Sequence, residues 1–214
     1  MRNLRTALGL AVAVCSLGIG VASASAHSFE STGGATKGVQ VGTEEFTLYP
    51  MKVTCQKSTT KGLAPAGSFT TYTSEIKYAV CSTFSGSVKV AVSPAQWQYS
   101  AEGVETLVNE VTVKPTGLGC HYTIPPQSAF TKQSVLYEDG ILPATTKFPE
   151  GQRKMTIYSN LSGLVYTAFG WPCTGPKSAE ALKEEKAETS EGEGGSFKGA
   201  VKEEVAGGNL GWVE

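Results

Sequence analysis

Residues 38–55 read GVQVGTEEFTLYPMKVTC, and residues 103–120 read GVETLVNEVTVKPTGLGC. The two segments align without a gap at an offset of 65 positions, and six of the 18 aligned positions are identical. Several other positions exchange one apolar residue for another. This self-similarity predicts two copies of one structural unit.

Shorter matches continue in the same order after these segments. They pair Ser74–Tyr78 with Ser162–Tyr166 before a cysteine, Phe84–Lys89 with Phe197–Lys202 after it, and Trp97 with Trp212 at the end. We therefore divide the chain into a signal peptide (1–26), an N-terminal arm (27–37), β unit 1 (38–102) and β unit 2 (103–214).

The units have the pattern of strands. Val88–Val92, Phe46–Leu48 and Val111–Val113 alternate large apolar residues with others, as half-buried strands do. Turn-forming Gly, Pro and Ser clusters interrupt the pattern about every ten residues, and 25 glycines with ten prolines leave little room for long helices. The sequence predicts an all-β fold: a disulfide-stapled β-sandwich, Ig-like or similar, built from the two units.

The N-terminus has the three parts of a secretory signal. Met1–Arg5 is basic, Thr6–Val21 is apolar and uncharged, and Ala22–Ala26 contains two overlapping A-x-A sites. We expect cleavage after Ala26, which makes His27 the first residue, with cleavage after Ala24 as the alternative. The mature protein is then secreted or held in the cell envelope, and no transmembrane anchor remains after cleavage.

The charge of the mature part excludes some partners. Residues 27–214 carry 16 basic and 19 acidic side chains, a net charge of −3, without a run of Lys or Arg. Nucleic acids and anionic membranes attract basic proteins, so neither is an expected partner. The expected partner is an envelope or extracellular ligand of unknown identity.

Four cysteines follow the predicted cleavage site: Cys55, Cys81, Cys120 and Cys173. An even number in an exported chain predicts two disulfides, and four cysteines allow three pairings. If each unit kept one ancestral bridge, the pairs are Cys55–Cys81 and Cys120–Cys173.

An acidic insert interrupts unit 2. Residues 177–195 contain six glutamates and three lysines. Ser178–Glu188 could form a short helix with Ser178 as its N-cap, and Glu191–Gly195 has a loop-like composition. We interpret the insert as a solvated excursion with weak order, with an acidic partner-binding arm as the alternative.

Several short motifs resemble those of an uncharacterised group of secreted bacterial proteins. They are His27–Ser31, Val53–Cys55, Tyr78–Cys81, Gly119–Gln127 and Leu164–Thr167. Members of that group tend to carry an additional cysteine pair between the second and third cysteines found here, and this chain lacks both members of it. The resemblance implies an exported β protein with paired cysteines and no known activity.

The sequence contains no clear catalytic constellation. The mature part has two histidines and no G-x-S-x-G elbow, and no phosphate-binding or EF-hand motif occurs. Glu45 and Glu110 hold equivalent positions in the two units, which a glycosidase could use as a facing pair, but solvent-facing strand positions are the simpler interpretation.

One metal hypothesis depends on the cleavage site. A mature N-terminal His27 could bind copper with its amine and ring, and His121 could be the second imidazole, as in polysaccharide mono-oxygenases and some copper-binding β-sandwich proteins. The preferred interpretation needs no cofactor: a non-catalytic envelope or extracellular module that binds a ligand or has a structural role. Trp97, Tyr99 and Trp212 are expected in the core rather than on a sugar-binding platform.

We expect mass spectrometry of the secreted protein to give a chain that starts at His27, because the second A-x-A site ends at Ala26. A chain that starts at Ser25 would support the alternative cleavage site and would remove the copper hypothesis. A chain that keeps Met1 would contradict export through a cleaved signal.

Overall fold

The computed structural model describes residues 27–84, 86–141, 153–173 and 189–213. The predicted signal peptide and the proposed helix Ser178–Glu188 lie outside these residues. The described part contains 13 strands and no helix, which confirms the all-β prediction. It therefore offers no helix that is long and apolar enough to cross a membrane.

The strands follow one another with short connections. They are β1 (Ser28–Gln40), β2 (Glu44–Leu48), β3 (Met51–Phe69), β4 (Thr71–Thr83), β5 (Val88–Val92), β6 (Ala95–Ser100), β7 (Glu105–Leu107), β8 (Val111–Pro115), β9 (His121–Ile124), β10 (Lys132–Ile141), β11 (Arg153–Phe169), β12 (Thr189–Val205) and β13 (Leu210–Val213).

Five pairs of strands are interrupted halves of longer ones. β1 and β2 both run antiparallel to β3, and β5 and β6 both run antiparallel to β4. In the same way β7 continues into β8, β9 into β10 and β12 into β13. If each interrupted pair is counted as one long strand, the sheet has eight strand positions. Each position pairs with the next one along the chain.

The eighth position returns to the first, so the sheet is closed. β12 pairs with β1 from Thr36↔Val205 to Gln40↔Val201, and with β2 from Thr47↔Ser196 to Glu45↔Lys198. The described strands form one sheet rather than two stacked sheets. The Ig-like β-sandwich is therefore not confirmed, although the period-two alternation that suggested it is present.

The closed sheet has a single interior, which is the hydrophobic core. Alternate side chains of every strand point into it, because successive residues of a strand face opposite sides. The largest fully buried side chains are aromatic: Trp97, Tyr72, Tyr99, Tyr122, Phe29, Phe46 and Phe197. Trp97 and Tyr99 are therefore core residues, as expected, and Trp212 packs partly buried against the core.

Two disulfides join the pairs that the repeat suggested. Cys55–Cys81 connects directly paired residues of β3 and β4, with a Cα–Cα distance of 4.0 Å. Cys120–Cys173 connects the residue before β9 to the turn after β11, with a Cα–Cα distance of 5.7 Å. Each bridge closes a loop long enough to stabilise the fold by roughly 3–4 kcal/mol on the chain-entropy model.

Two sequence-based assignments need correction. Residues 28–37 are not an arm but the first part of β1, where they pair with both β3 and the C-terminal strands. Glu191–Gly195 is not a loop but part of β12, which pairs with β11 along its length. Residues 191–195 have a composition that does not favour a strand, but their pairing with β11 makes them one. A Cβ atom at position 195 would lie 2.9 Å from the Leu164 carbonyl oxygen, so glycine suits this close approach.

The structure does not confirm a duplication. The first aligned segment contains the hairpin of β2 and the start of β3, whereas the second contains β7 and β8 and ends before β9, the hairpin partner of β8. Cys55 lies within the first hairpin ladder, opposite Glu44, whereas Cys120 lies before β9 and outside the second ladder. Equivalent residues therefore have different partners.

Because neighbouring strands are antiparallel, alternate connections lie at the same end of the closed sheet. We call one end the Cys120 end, which carries the turn residues 49–50, 84, 86–87, 116–120 and 170–173. We call the other the His27 end, which carries residue 70, the turn 101–104 and both described termini.

We expect Gly38→Ala to destabilise the protein by about 1–3 kcal/mol. Gly38 lies between β3 and β12, and an added Cβ would meet the Thr60 hydroxyl at 2.4 Å and the Lys202 carbonyl oxygen at 2.5 Å. Gly119→Ala is the matched control, because nothing lies within 4 Å of its Cβ position. Urea unfolding of both variants measures the difference, and equal stability would contradict the close packing around β1.

Candidate functional site

Three glutamates lie inside the closed sheet with no solvent exposure: Glu44, Glu105 and Glu203. Each one is placed there by the alternation of its strand. Glu44 shares a face of β2 with Phe46 and Leu48, and Glu203 shares a face of β12 with buried valines. Buried carboxyls are rare unless they are paired, so these three form the candidate functional site.

Glu203 is the best-satisfied member of the three. The Tyr72 hydroxyl donates a hydrogen bond to Glu203 Oε2, and the Ser74 hydroxyl donates to Oε1 at 2.6 Å. Both donors lie on β4, so these bonds cross the interior from β12. Thr36 lies against the Tyr72 hydroxyl and extends the network to β1. Burial raises the pKa of Glu203, and the hydroxyl donors oppose the shift.

Glu105 has no hydrogen-bond partner at either carboxyl oxygen. It lies on β7 opposite Tyr99 of β6. Burial raises its pKa from 4.5 to about 8, and the nearby Ser159 hydroxyl offsets only part of this effect because its geometry falls short of a hydrogen bond. At neutral pH the side chain is therefore mainly protonated.

Glu44 is likewise without a hydrogen-bond partner, and so is the Ser58 hydroxyl that lies near it. Burial raises its pKa from 4.5 to about 7, against a smaller opposing effect of Ser58. Gly199 makes room for this side chain, since a Cβ at that position would lie 3.0 Å from Glu44 Cγ.

Neutral tyrosines separate the three carboxyls. Burial is the main cause that raises the pKa values of Tyr78 and Tyr99. The charges of Glu44 and Glu105 raise the pKa of Tyr78 further, and those of Glu105 and Glu203 raise the pKa of Tyr99 further. Trp97 Nε1 donates to the Tyr78 hydroxyl at 3.2 Å. The site can store protons in a low-dielectric interior. Among the described residues, no three His, Cys, Asp or Glu side chains come close enough to hold a metal ion.

The two histidines of the copper hypothesis are not brought together. The ring of His27 stacks on Trp212 at a centroid distance of 5.0 Å, and the ring of His121 stacks on Phe169 at 4.6 Å. They lie at opposite ends of strands that rise ~3.3 Å per residue, which separates them by more than about 20 Å. One copper ion cannot bind both in this conformation, since metal–nitrogen bonds are about 2 Å long.

The glutamates singled out from the sequence face outward. Glu45 forms an ion pair with Lys52 at 2.8 Å on the outer surface, and Glu110 is exposed. Sequence reasoning therefore selected Glu45, whereas its neighbour Glu44 is the buried residue. The sequence did indicate that Glu44 is buried, because it falls on the same alternating face of β2 as the large apolar residues Phe46 and Leu48.

A second feature lies at the Cys120 end, where three large aromatic side chains are exposed. Tyr49 is 70% exposed, Phe84 50% and Trp171 65%. Phe84 and Pro50 line one groove of about 550 Å³, together with Lys52, Thr54, Gln56 and Ser82. Sequence reasoning missed this surface, although Tyr49 and Trp171 each precede a proline in a turn.

Comparison with known proteins adds no assignment. No protein-family model, curated protein or solved structure matches the chain. The candidate sites therefore depend on geometry alone.

We expect the free energy of unfolding to fall by several kcal/mol between pH 5 and pH 8. Folding raises the pKa of Glu44 and Glu105, so the folded state keeps protons that the unfolded state releases above about pH 4.5. This destabilisation grows as the pH rises and is complete above about pH 7 for Glu44 and about pH 8 for Glu105. Urea unfolding at a series of pH values measures it.

Glu44→Gln should make the loss of stability between pH 5 and pH 8 smaller by about 3 kcal/mol, since each pKa unit corresponds to about 1.4 kcal/mol. Glu45→Gln, one residue along on the outer face, is the control and should leave the slope unchanged. Identical slopes in the two variants would show that Glu44 is ionised in the folded state.

Proposed function

We propose that this protein is an exported, non-catalytic module of the cell envelope or extracellular space that binds a ligand through the Cys120 end of its closed sheet. The exposure of Tyr49, Phe84 and Trp171 on turns at that end carries the proposal. Aromatic residues are enriched where proteins bind partners, and several exposed aromatic side chains at one end of a fold favour an interaction site there.

The turns that carry these side chains are held in place. The Cys120–Cys173 disulfide ties the turn that follows β11 to the start of β9, two residues from Trp171. The Tyr166 hydroxyl donates to the Tyr49 carbonyl oxygen at 3.5 Å. Phe84 has a φ of 51°, a conformation that is costly for an aromatic residue and that is found preferentially at functional sites.

The groove beside Phe84 favours a glycan as the ligand. Its lining offers the ammonium group of Lys52, the amide of Gln56 and the hydroxyls of Thr54 and Ser82 next to an aromatic ring. Sugars present hydroxyl groups that such side chains hydrogen-bond, and C–H faces that stack on aromatic rings.

Export is supported by two independent features. The first 26 residues have the composition of a secretory signal, and both disulfides favour an oxidising compartment. An origin of the module by duplication is likewise a proposal, supported by the six identities between residues 38–55 and 103–120.

We expect isothermal titration with soluble neutral glucans, acidic polysaccharides and peptidoglycan fragments to identify a glycan that binds the mature protein. Phe84→Ala should weaken that binding at least tenfold, because Phe84 is the aromatic ring that lines the groove and stacked aromatic anchors dominate such contacts. Leu63→Ala is the control, since Leu63 is 72% exposed and lies on β3 away from the Cys120 end. Equal affinity of both variants, or no binding of any of these glycans, would contradict the proposal.

A further inference from the structure

On one side of the closed sheet, two neighbouring strands meet without a backbone ladder. Among the described residues, β7 pairs with β6 and β10 pairs with β11, but β7 and β10 do not pair with each other. The last backbone contact on this side is the bridge between Leu107 and Gln127. We call the line from there to the His27 end the seam, with residues 100–106 on one side and residues 132–138 on the other.

Side chains close the seam. Gln133 Nε2 donates to the Glu105 carbonyl oxygen at 3.0 Å, and the Tyr137 hydroxyl donates to the Ser100 carbonyl oxygen at 2.6 Å. Each such bond adds little net stability, because water offers both partners a replacement when the strands separate. The β11–β12 ladder, in contrast, pairs residues continuously from Met155↔Glu203 to Phe169↔Thr189 apart from a bulge. The seam is therefore a weaker line of the closure than the β11–β12 ladder.

One of the two unpartnered carboxyls of the interior, that of Glu105, lies directly behind the seam. The backbone carbonyl of Glu105 accepts the Gln133 bond, while its side chain points inward with both oxygens unpartnered. One residue thus belongs both to the closure of the seam and to the buried acidic site.

The groups around the Glu105 carboxyl cannot neutralise a negative charge. The titratable side chains in its electrostatic range are Tyr78 of β4, Tyr99 of β6 and Tyr137 of β10, whose pKa values are raised further by its charge. Among the described residues, the Ser159 hydroxyl of β11 is the one further polar group that acts on the carboxyl. Tyr78 and Tyr99 also lie in the electrostatic range of two more acids, Glu44 and Glu203. Because this described network supplies no cation, an ionised Glu105 needs water to solvate its charge.

We propose that the seam between β7 and β10 is a proton-controlled gate, in which loss of the Glu105 proton separates the two strands and admits water to the interior. The gate is closed when Glu105 is protonated and opens as the pH rises. This inference does not depend on the glycan-binding surface, which lies at the opposite end of the sheet.

The pH range of the gate follows from linkage. The closed state holds the Glu105 proton up to about pH 8, and the open state releases it from about pH 4.5. Opening is therefore coupled to the loss of one proton in this interval, so that its equilibrium constant rises at most tenfold per pH unit and levels off above about pH 8.

Native-state hydrogen exchange with mass spectrometry at pH 5.5 to 8.5 tests the gate on the mature protein. After correction for intrinsic exchange rates, peptides that cover 95–107 and 132–138 should lose protection three- to tenfold per pH unit up to about pH 8. Peptides that cover 51–60 and 197–205 should retain more protection at every pH. Equal protection of the seam peptides and the core peptides at every pH, or no pH dependence in the seam peptides, would overturn the proposal.

Two variants distinguish the effect of the Glu105 proton from the effect of the side-chain hydrogen bonds across the seam. Glu105→Gln should make the protection of the seam peptides independent of pH. Glu110→Gln is the matched control, because Glu110 is exposed and lies between β7 and β8, and it should leave the slope unchanged. Tyr137→Phe removes one bridge and should increase exchange of the seam peptides at every pH while the slope remains. A Glu105→Gln protein with an unchanged slope would assign the pH dependence to another group.

Discussion

The pairing of β12 with β1 and β2 determines the rest of this structure. It joins the last strands to the first and converts a meander of antiparallel strands into a closed sheet. A closed sheet leaves each side chain only two environments, solvent or one shared interior. Glu203 illustrates the consequence, because its register on β12 directs its carboxyl toward hydroxyls of β4 on another side of the interior. Gly38 illustrates the cost, since closure brings β1 so near to its neighbours that no larger residue fits.

The interior combines an aromatic core with three carboxyls that have no cation beside them in its described network. Such groups can be buried only as neutral acids, so the fold depends on protons as well as on apolar contacts. The carboxyls differ in how well they are satisfied. Glu203 is bonded within the network, whereas Glu105 faces tyrosines and lies where the backbone closure is incomplete. Stability and local opening are thereby connected to pH through the same residues, while the ligand-binding surface that we propose lies on turns at the far end.

Part of this organisation is present in the sequence. Alternation predicted the strands, and the repeat suggested the disulfide pairs that the structure contains. Closure was not predictable, because a β-sandwich and a closed sheet show the same local alternation and differ only in which distant strands pair. The buried glutamates were missed for a related reason. Glu44 lies on the same face of β2 as Phe46 and Leu48. Alternation alone does not predict a buried carboxyl there, because charged side chains are normally expected on the solvent-facing positions of a strand. Composition also misled at Glu191–Gly195, where the ladder of β11 decides the structure.

The most direct test of a proton-holding interior is a carbon-13 NMR titration of the glutamate side-chain carboxyls. We expect Glu105 to titrate near pH 8 and Glu44 near pH 7, while Glu203 titrates above the usual range of a glutamate. Carboxyl resonances of Glu44 and Glu105 that titrate near pH 4.5, the ordinary value of a glutamate, would show that water or a counter-ion reaches them, and would contradict the closed, proton-holding interior.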